Sequence, residues 1–138
     1  MPSKDKSPYA APFVIAVDQR EQAPFPLVGF ATMRKFLRTG DYSIIGLEDR
    51  VAVERKSYTD AWGSMSTGRA RFERCVQRLA AMDRAAIVIE CTMVQLAQQP
   101  PYIQRVTGPS VVGGLISWAC QYRVPVFFAD DRLHAERT

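Results

Sequence analysis

Three short apolar runs mark the chain, and charge closes each of them. Residues 13–17 (Phe-Val-Ile-Ala-Val) lead straight into Asp18, Arg20 and Glu21. Residues 85–89 (Ala-Ala-Ile-Val-Ile) end at Glu90, and residues 124–128 (Val-Pro-Val-Phe-Phe) end just before Asp130. Continuous apolarity over a strand length predicts strands buried on both faces. Pro125 makes the last one an edge strand or puts the proline at its start. A different pattern lies between. Residues 42–45 and 51–55 read as strands on either side of a turn at 46–50, which predicts a hairpin. Residues 32–37 fit two elements. Met33, Phe36 and Leu37 suit one helical face, but the segments on both sides read as a β-meander, and we take a strand.

Helical spacing dominates the rest. Phe72, Val76, Leu79 and Ala80 recur at three and four residues, joined by Cys75, and predict an amphipathic helix over 69–82. A short helix precedes it, capped by Ser57 or Thr59 with Asp60 near its start, and broken by the glycines at 63 and 68. Residues 92–98 form a helix stopped by Pro100 and Pro101. Residues 110–122 form another, with Val111, Leu115, Trp118 and Ala119 along one side, while Gly113 and Gly114 weaken it or allow close packing. A last helix starts at Asp130. The order is four strands, two helices, a strand, two helices and a strand. It predicts an α/β three-layer domain with a mixed sheet, a meander joined to βαβ crossovers.

Composition narrows the class. The 138 residues suffice for one domain with a core. With 47% hydrophobic and 23% charged residues the chain reads as soluble and globular. Residues 1–12, with three prolines, read as a disordered lead, and residues 13–138 as the domain. No apolar run approaches the roughly 20 residues of a membrane span, and the polar start holds no secretory signal. Three cysteines without paired spacing fit a reducing, cytoplasmic location. A single histidine and no Cys-x-x-Cys exclude a zinc cage and a histidine-based triad. The net charge of +4 favours an anionic partner.

The chemistry concentrates around the hairpin. Asp41 follows Gly40, and after twelve intervening residues come Glu54, Arg55 and Lys56, then Asp60. Alternation on a strand puts Glu54 and Lys56 on one face and Arg55 on the other. Two acids and a lysine at one end of a hairpin are the equipment of a metal-dependent phosphodiesterase. Carboxylates hold a hard divalent cation, Mg²⁺ or Mn²⁺, and the lysine sits by the phosphate or the attacking water. The backbone carbonyl of Arg55 is a candidate third ligand. Asp18 and Glu21 end another strand and could complete the site, and Asp60 could return to it from its helix.

These residues make up an ordered signature. Gly40 and Asp41, then Glu54-Arg55-Lys56, then three residues and Asp60, resemble the GD…ERKxxxD motif of XPF/Mus-type structure-specific endonucleases. Val17, Asp18, Arg20 and Glu21 resemble the VDxRE opening of that nuclease domain. Gly68 and Arg69 with the basic helix resemble a further segment, and residues 86–90 the following strand. The match covers roughly residues 13–90. The resemblance implies a restriction-endonuclease-like core. It implies metal bound by Asp41, Glu54 and the Arg55 carbonyl, with Asp18 in the same site and Lys56 catalytic. Asp60, Arg69, Arg20 and Glu21 become supporting or substrate-binding residues. The implied activity is Mg²⁺- or Mn²⁺-dependent endonucleolytic cleavage of DNA at a branch, flap or fork. Pairing as a homodimer or heterodimer through the nuclease domain is implied as well. The alternative is an inactive DNA-binding or scaffold subunit of the same fold.

Cellular members carry a tandem helix-hairpin-helix domain, which this sequence lacks. It resembles the short stand-alone bacterial and phage members more closely, or a fragment truncated at its C-terminus. Some residues have plainer readings. The Arg55 side chain belongs to an ion pair beneath the site. Arg71, Arg74 and Arg78 are first a wet helix face, and Arg69 is the arginine expected at phosphate. Trp62 and Trp118 are expected in the core, and Cys75, Cys91 and Cys120 as small buried apolar residues. Tyr42 is open between core and site, and His134 has no role.

Overall fold

The computed structural model describes residues 12–138. The expected disordered lead, residues 1–12, therefore lies outside the described residues except for Pro12. The strands are β1 (Val14–Asp18), β2 (Ala31–Lys35), β3 (Tyr42–Ile44), β4 (Val51–Lys56), β5 (Arg84–Ile89) and β6 (Val126–Phe128). The helices are α1 (Tyr58–Met65), α2 (Arg69–Ala80), α3 (Met93–Leu96), α4 (Gly108–Tyr122) and α5 (Arg132–Arg137). The element order expected from the pattern holds throughout, and residues 31–35 are a strand. Among the described residues no helix is long and apolar enough to cross a membrane.

One six-stranded mixed sheet runs β2-β1-β3-β4-β5-β6. The expected four-strand meander is corrected here. β1, β3 and β4 pair antiparallel in turn, but β2 lies outside β1 and runs parallel to it. A parallel neighbour needs a crossover rather than a tight turn, and residues 19–30 supply one that lays Phe25 and Leu27 on the sheet. β2 is largely exposed and carries Arg34 and Lys35, charges that suit an unpaired edge. β6 forms the other edge, with Pro125 just ahead of it.

The main core covers one face. Ala52, Ile87 and Ile89 from the sheet meet Trp62 and Met65 of α1, Phe72, Val76 and Leu79 of α2, and Leu115 and Trp118 of α4. Trp62 is fully buried and donates its indole N–H to the Leu96 carbonyl at 3.1 Å. Both tryptophans are core residues, as expected. Ala80, assigned to the same helical face by spacing, is exposed in the last turn of α2. Ser57 caps α1, accepting from the Asp60 amide at 3.1 Å. The helix runs past Gly63 to Met65, because Trp62 and Met65 anchor its second turn in the core. Of the cysteines only Cys91 is buried. Cys75 is half-buried and Cys120 exposed, which corrects the expectation for both.

The opposite face is thinner. Val17, Tyr42 and Val88 lie beneath Phe25, Ala129 and Ala135. Tyr42 is core here. Its ring stacks on Phe25 at 5.3 Å and its hydroxyl accepts from the Phe25 amide at 2.8 Å. Arg55 points to this side. Its guanidinium meets Glu21 at 3.0 Å, and its Nε donates to Glu90. Arg132 of α5 reaches the same Glu90 at 3.3 Å and donates to the carbonyls of Ala23 and Pro24 at 2.7 and 2.9 Å. Both guanidiniums lie over the Phe25 ring, at 5.4 and 4.9 Å. The side chains of Arg55, Glu21 and Glu90 are only 11%, 8% and 9% exposed, so this is an interior ion network.

Gly40 turns the chain into β3 with φ +81°. A Cβ there would sit 3.0 Å from Ala52 Cβ and 3.2 Å from the Val53 carbonyl oxygen. Gly46 has φ +90° with open space around it. Gly46→Ala therefore meets backbone strain alone, about 1–2 kcal/mol. Gly40→Ala adds a steric term of about 1–3 kcal/mol, and denaturant unfolding should rank the two in that order. The ion network gives a second contrast. Glu90→Ala leaves the buried Arg55 with Glu21 alone and takes one acceptor from Arg132, and should destabilise by about 1–3 kcal/mol. Asp83→Ala removes a pair to Arg50 that is 55% and 66% exposed, and should cost under about 1 kcal/mol in the same assay.

Candidate active site

The C-terminal ends of β1 and β4, the start of β3 and the helices α1 and α2 enclose an open cavity of about 630 Å³. Asp41 is held there through its backbone. Its amide donates to the Val53 carbonyl and its own carbonyl accepts from the Asp18 amide, both at 2.9 Å. Its Oδ2 accepts from the Arg55 amide at 2.8 Å. β4 pairs with β5 through alternate residues, so Lys56 takes the Glu90 amide while Arg55 turns its peptide groups to the other edge. The Asp41 carboxylate meets Arg55 at that edge, where β3 has not yet begun.

Glu54 stands beside Asp41 in the cavity wall. Lys56 Nζ is 3.4 Å from Glu54 Oε1 and lies over the Phe72 ring at 4.6 Å. The alternation read from the sequence is what the structure has, with Glu54 and Lys56 in the cavity and Arg55 in the ion network beneath. Cys75 of α2 places its Sγ 3.8 Å from Glu54 Oε2. Burial first, then the Glu54 charge, pushes that thiol up to about 12, so it stays protonated and donates to the carboxylate.

The remaining sequence candidates divide. Asp18 reaches the wall but is buried, and its carboxylate accepts from Arg20 Nε at 2.9 Å and from the Leu37 amide at 3.0 Å. It fixes Arg20 and the segment entering Thr39 and Gly40. Glu21 lines the cavity and faces Arg55. Asp60 lines it from the exposed first turn of α1. Arg69 stands apart. Its guanidinium lies over the Trp118 ring at 4.7 Å, beside the space left by Gly114, and forms no part of the wall. Arg38, Arg71 and Arg78 are in the wall instead. The spacing 71, 75, 78 on α2 puts two of these arginines on one flank with Cys75, a signal present in the sequence. Arg38 immediately precedes the Thr39-Gly40-Asp41 turn.

Two carboxylates share this site largely out of water. Burial, then the Glu54 charge, raises Asp41 from the usual carboxylate range to about 7. Burial also raises Glu54, against the pull of Lys56. Such a pair suits a divalent cation, whose charge offsets both penalties. Among the described residues no three His, Cys, Asp or Glu side chains converge as a metal cage. The available donors are the two carboxylates, the Arg55 carbonyl at the Asp41 edge, and water. That sparse oxygen set fits Mg²⁺ or Mn²⁺ and not Zn²⁺.

Comparison with known proteins places this geometry in a family. The ERCC4 domain matches residues 17–137. Solved structures share the fold, two of XPF among them. XPF from Aeropyrum pernix is 25% identical with a TM-score of 0.67, covering 90% of this chain and 58% of that one. XPF from Aeropyrum pernix in complex with DNA is 26% identical with a TM-score of 0.62, covering 86% and 57%. The chain thus spans less than three-fifths of the length of either relative. No curated protein sequence matches it. The mixed six-stranded sheet with its five helices is the restriction-endonuclease-like fold expected from the sequence. With nearly all of the described residues inside the matched region, the chain belongs to the ERCC4 domain family.

Proposed function

We propose that this protein is a Mg²⁺- or Mn²⁺-dependent endonuclease acting on DNA, with branched, flap or fork DNA as its substrate class. The observation that carries the reading is the cavity in which Asp41, Glu54 and Lys56 meet under a rim of arginines. The relative in complex with DNA supports the choice of polymer. On this reading Asp41, Glu54 and the Arg55 carbonyl hold the cation. When bound, it supplies charge neutralisation on the phosphate and a lower pKa for a water molecule.

The chain's own residues do the rest. Lys56, kept in place by Glu54 and the Phe72 face, directs its ammonium at a non-bridging phosphate oxygen or at the attacking water. The protonated Cys75 donates to Glu54 Oε2 and orients that carboxylate. Asp18 fixes Arg20 at the mouth. Arg38, Arg71 and Arg78 meet the flanking phosphates, which positions the strand without reading its sequence. A pair of domains, of this chain or with a related one, is the assembly we infer from the family. Phe127 and Leu133, exposed near the β6 edge, are compatible with it.

Cleavage of labelled flap, fork, single-stranded and duplex DNA tests the site. Asp41→Ala and Lys56→Ala should each lower the rate by about a hundredfold or more, and chelation by EDTA should stop it. Full activity in both variants would remove the site assignment. DNA binding without cleavage in either metal would favour the inactive-subunit reading. Each of Arg38→Ala, Arg71→Ala and Arg78→Ala should reduce the salt slope of DNA binding by about one. Arg69→Ala should leave that slope unchanged.

A further inference from the structure

Phe36 is 60% exposed, although its chain neighbour Leu37 is buried. Single exposed apolar residues are ordinary, but this one has a setting. Arg20 lies over its ring with Cζ 4.8 Å from the centroid. Arg20 is not a loose surface arginine. Its Nε is held by Asp18 at 2.9 Å and its terminal nitrogen by the Leu37 carbonyl at 2.8 Å. Arg20 also belongs to the cavity wall, as do Arg38, Thr39 and Gly40 just beyond Phe36. A planar cation of fixed orientation and an open aromatic ring thus form one continuous surface at the margin of the cavity. The aromatic residues nearest the acids offer nothing comparable, because Phe72 and Tyr42 are buried.

Such a surface suits a nucleobase. Aromatic rings stack on any base through its π-face, and an arginine plane adds to the contact. A paired base is already stacked within its duplex and offers no free face. We propose that Phe36, backed by Arg20, is a stacking platform for an unpaired nucleobase of the DNA strand leaving the cavity. It makes Phe36 a specificity-determining residue that favours substrates with a single-stranded nucleotide next to the scissile phosphate. The inference rests on the endonuclease reading and deepens it, since it locates the feature that tells a flap or fork from plain duplex.

The test uses the whole chain and two DNAs, a flap with 2-aminopurine at its first unpaired position and a duplex with the same base paired. Binding is measured in Ca²⁺, to avoid cutting, by titration and by 2-aminopurine emission, which falls when the base stacks. Wild-type protein should quench the flap probe and prefer the flap. Phe36→Ala and Phe36→Leu should abolish the quenching and weaken flap binding about fivefold to a hundredfold, so that the preference over duplex collapses. Phe36→Trp should retain both. Tyr102→Ala, which alters an equally exposed aromatic residue away from the cavity, serves as the control and should change neither. Quenching and preference that persist in Phe36→Ala and Phe36→Leu overturn the platform and leave the endonuclease reading standing. A wild-type protein that binds and cuts no DNA overturns both.

Discussion

An interior strand that carries three charges in a row must find a partner for each of them. β4 lies between β3 and β5, and its last three residues are Glu54, Arg55 and Lys56. Uncompensated, any one of these charges would be too costly to bury there. The strand's alternation divides the problem. Arg55 turns to the thin face, where burial works against its charge but Glu90 and Glu21 outweigh that. Glu54 and Lys56 turn to the cavity and face each other. The position of Glu21, Glu90, Phe25 and α5 follows from the first half of this division. The open, polar cavity follows from the second.

The same strand explains why the site is rigid without being dense. Asp41 is tied to β4 by its amide and by its carboxylate, and to β1 by its carbonyl. Asp18 is tied to the segment before Gly40. The Asp41 carboxylate is fixed by a backbone amide, Asp18 by one amide and Arg20, and Glu54 by the side chains of Lys56 and Cys75. These contacts come from the fold itself and set the carboxylates in place.

Much of this could be read along the chain. Five-residue apolar runs marked β1, β5 and β6, and three-four spacing marked the buried face of α2. Strand alternation alone separated Arg55 from Glu54 and Lys56. The place of β2 could not be read, because nothing local distinguishes a strand that returns beside its predecessor from one that crosses to the far side. That choice is made by the twelve residues that follow β1, through the burial of Phe25 and Leu27. The place of Arg69 outside the cavity wall could not be read for a related reason. Its sequence neighbours are basic, but its partner, Trp118, lies on a helix some fifty residues away, and Gly114 leaves the room for their contact. The extent of the exposed Phe36 ring depends on the same unpredicted edge of the sheet.

Arg132 joins the carbonyls of Ala23 and Pro24, across sequence separations of 109 and 108 residues, to the carboxylate that also holds Arg55. During synthesis the first half of that network must wait for the second. While the ribosome is still extending the chain through α4, Glu90 has Arg55 but lacks Arg132, and the crossover after β1 has nothing from α5 to hold it. Local helices can form early, whereas this long-range closure comes last. The enclosure beneath the cavity is therefore completed only once α5 has docked, while the bonds that hold Asp41 and Asp18 lie wholly within the first half of the chain.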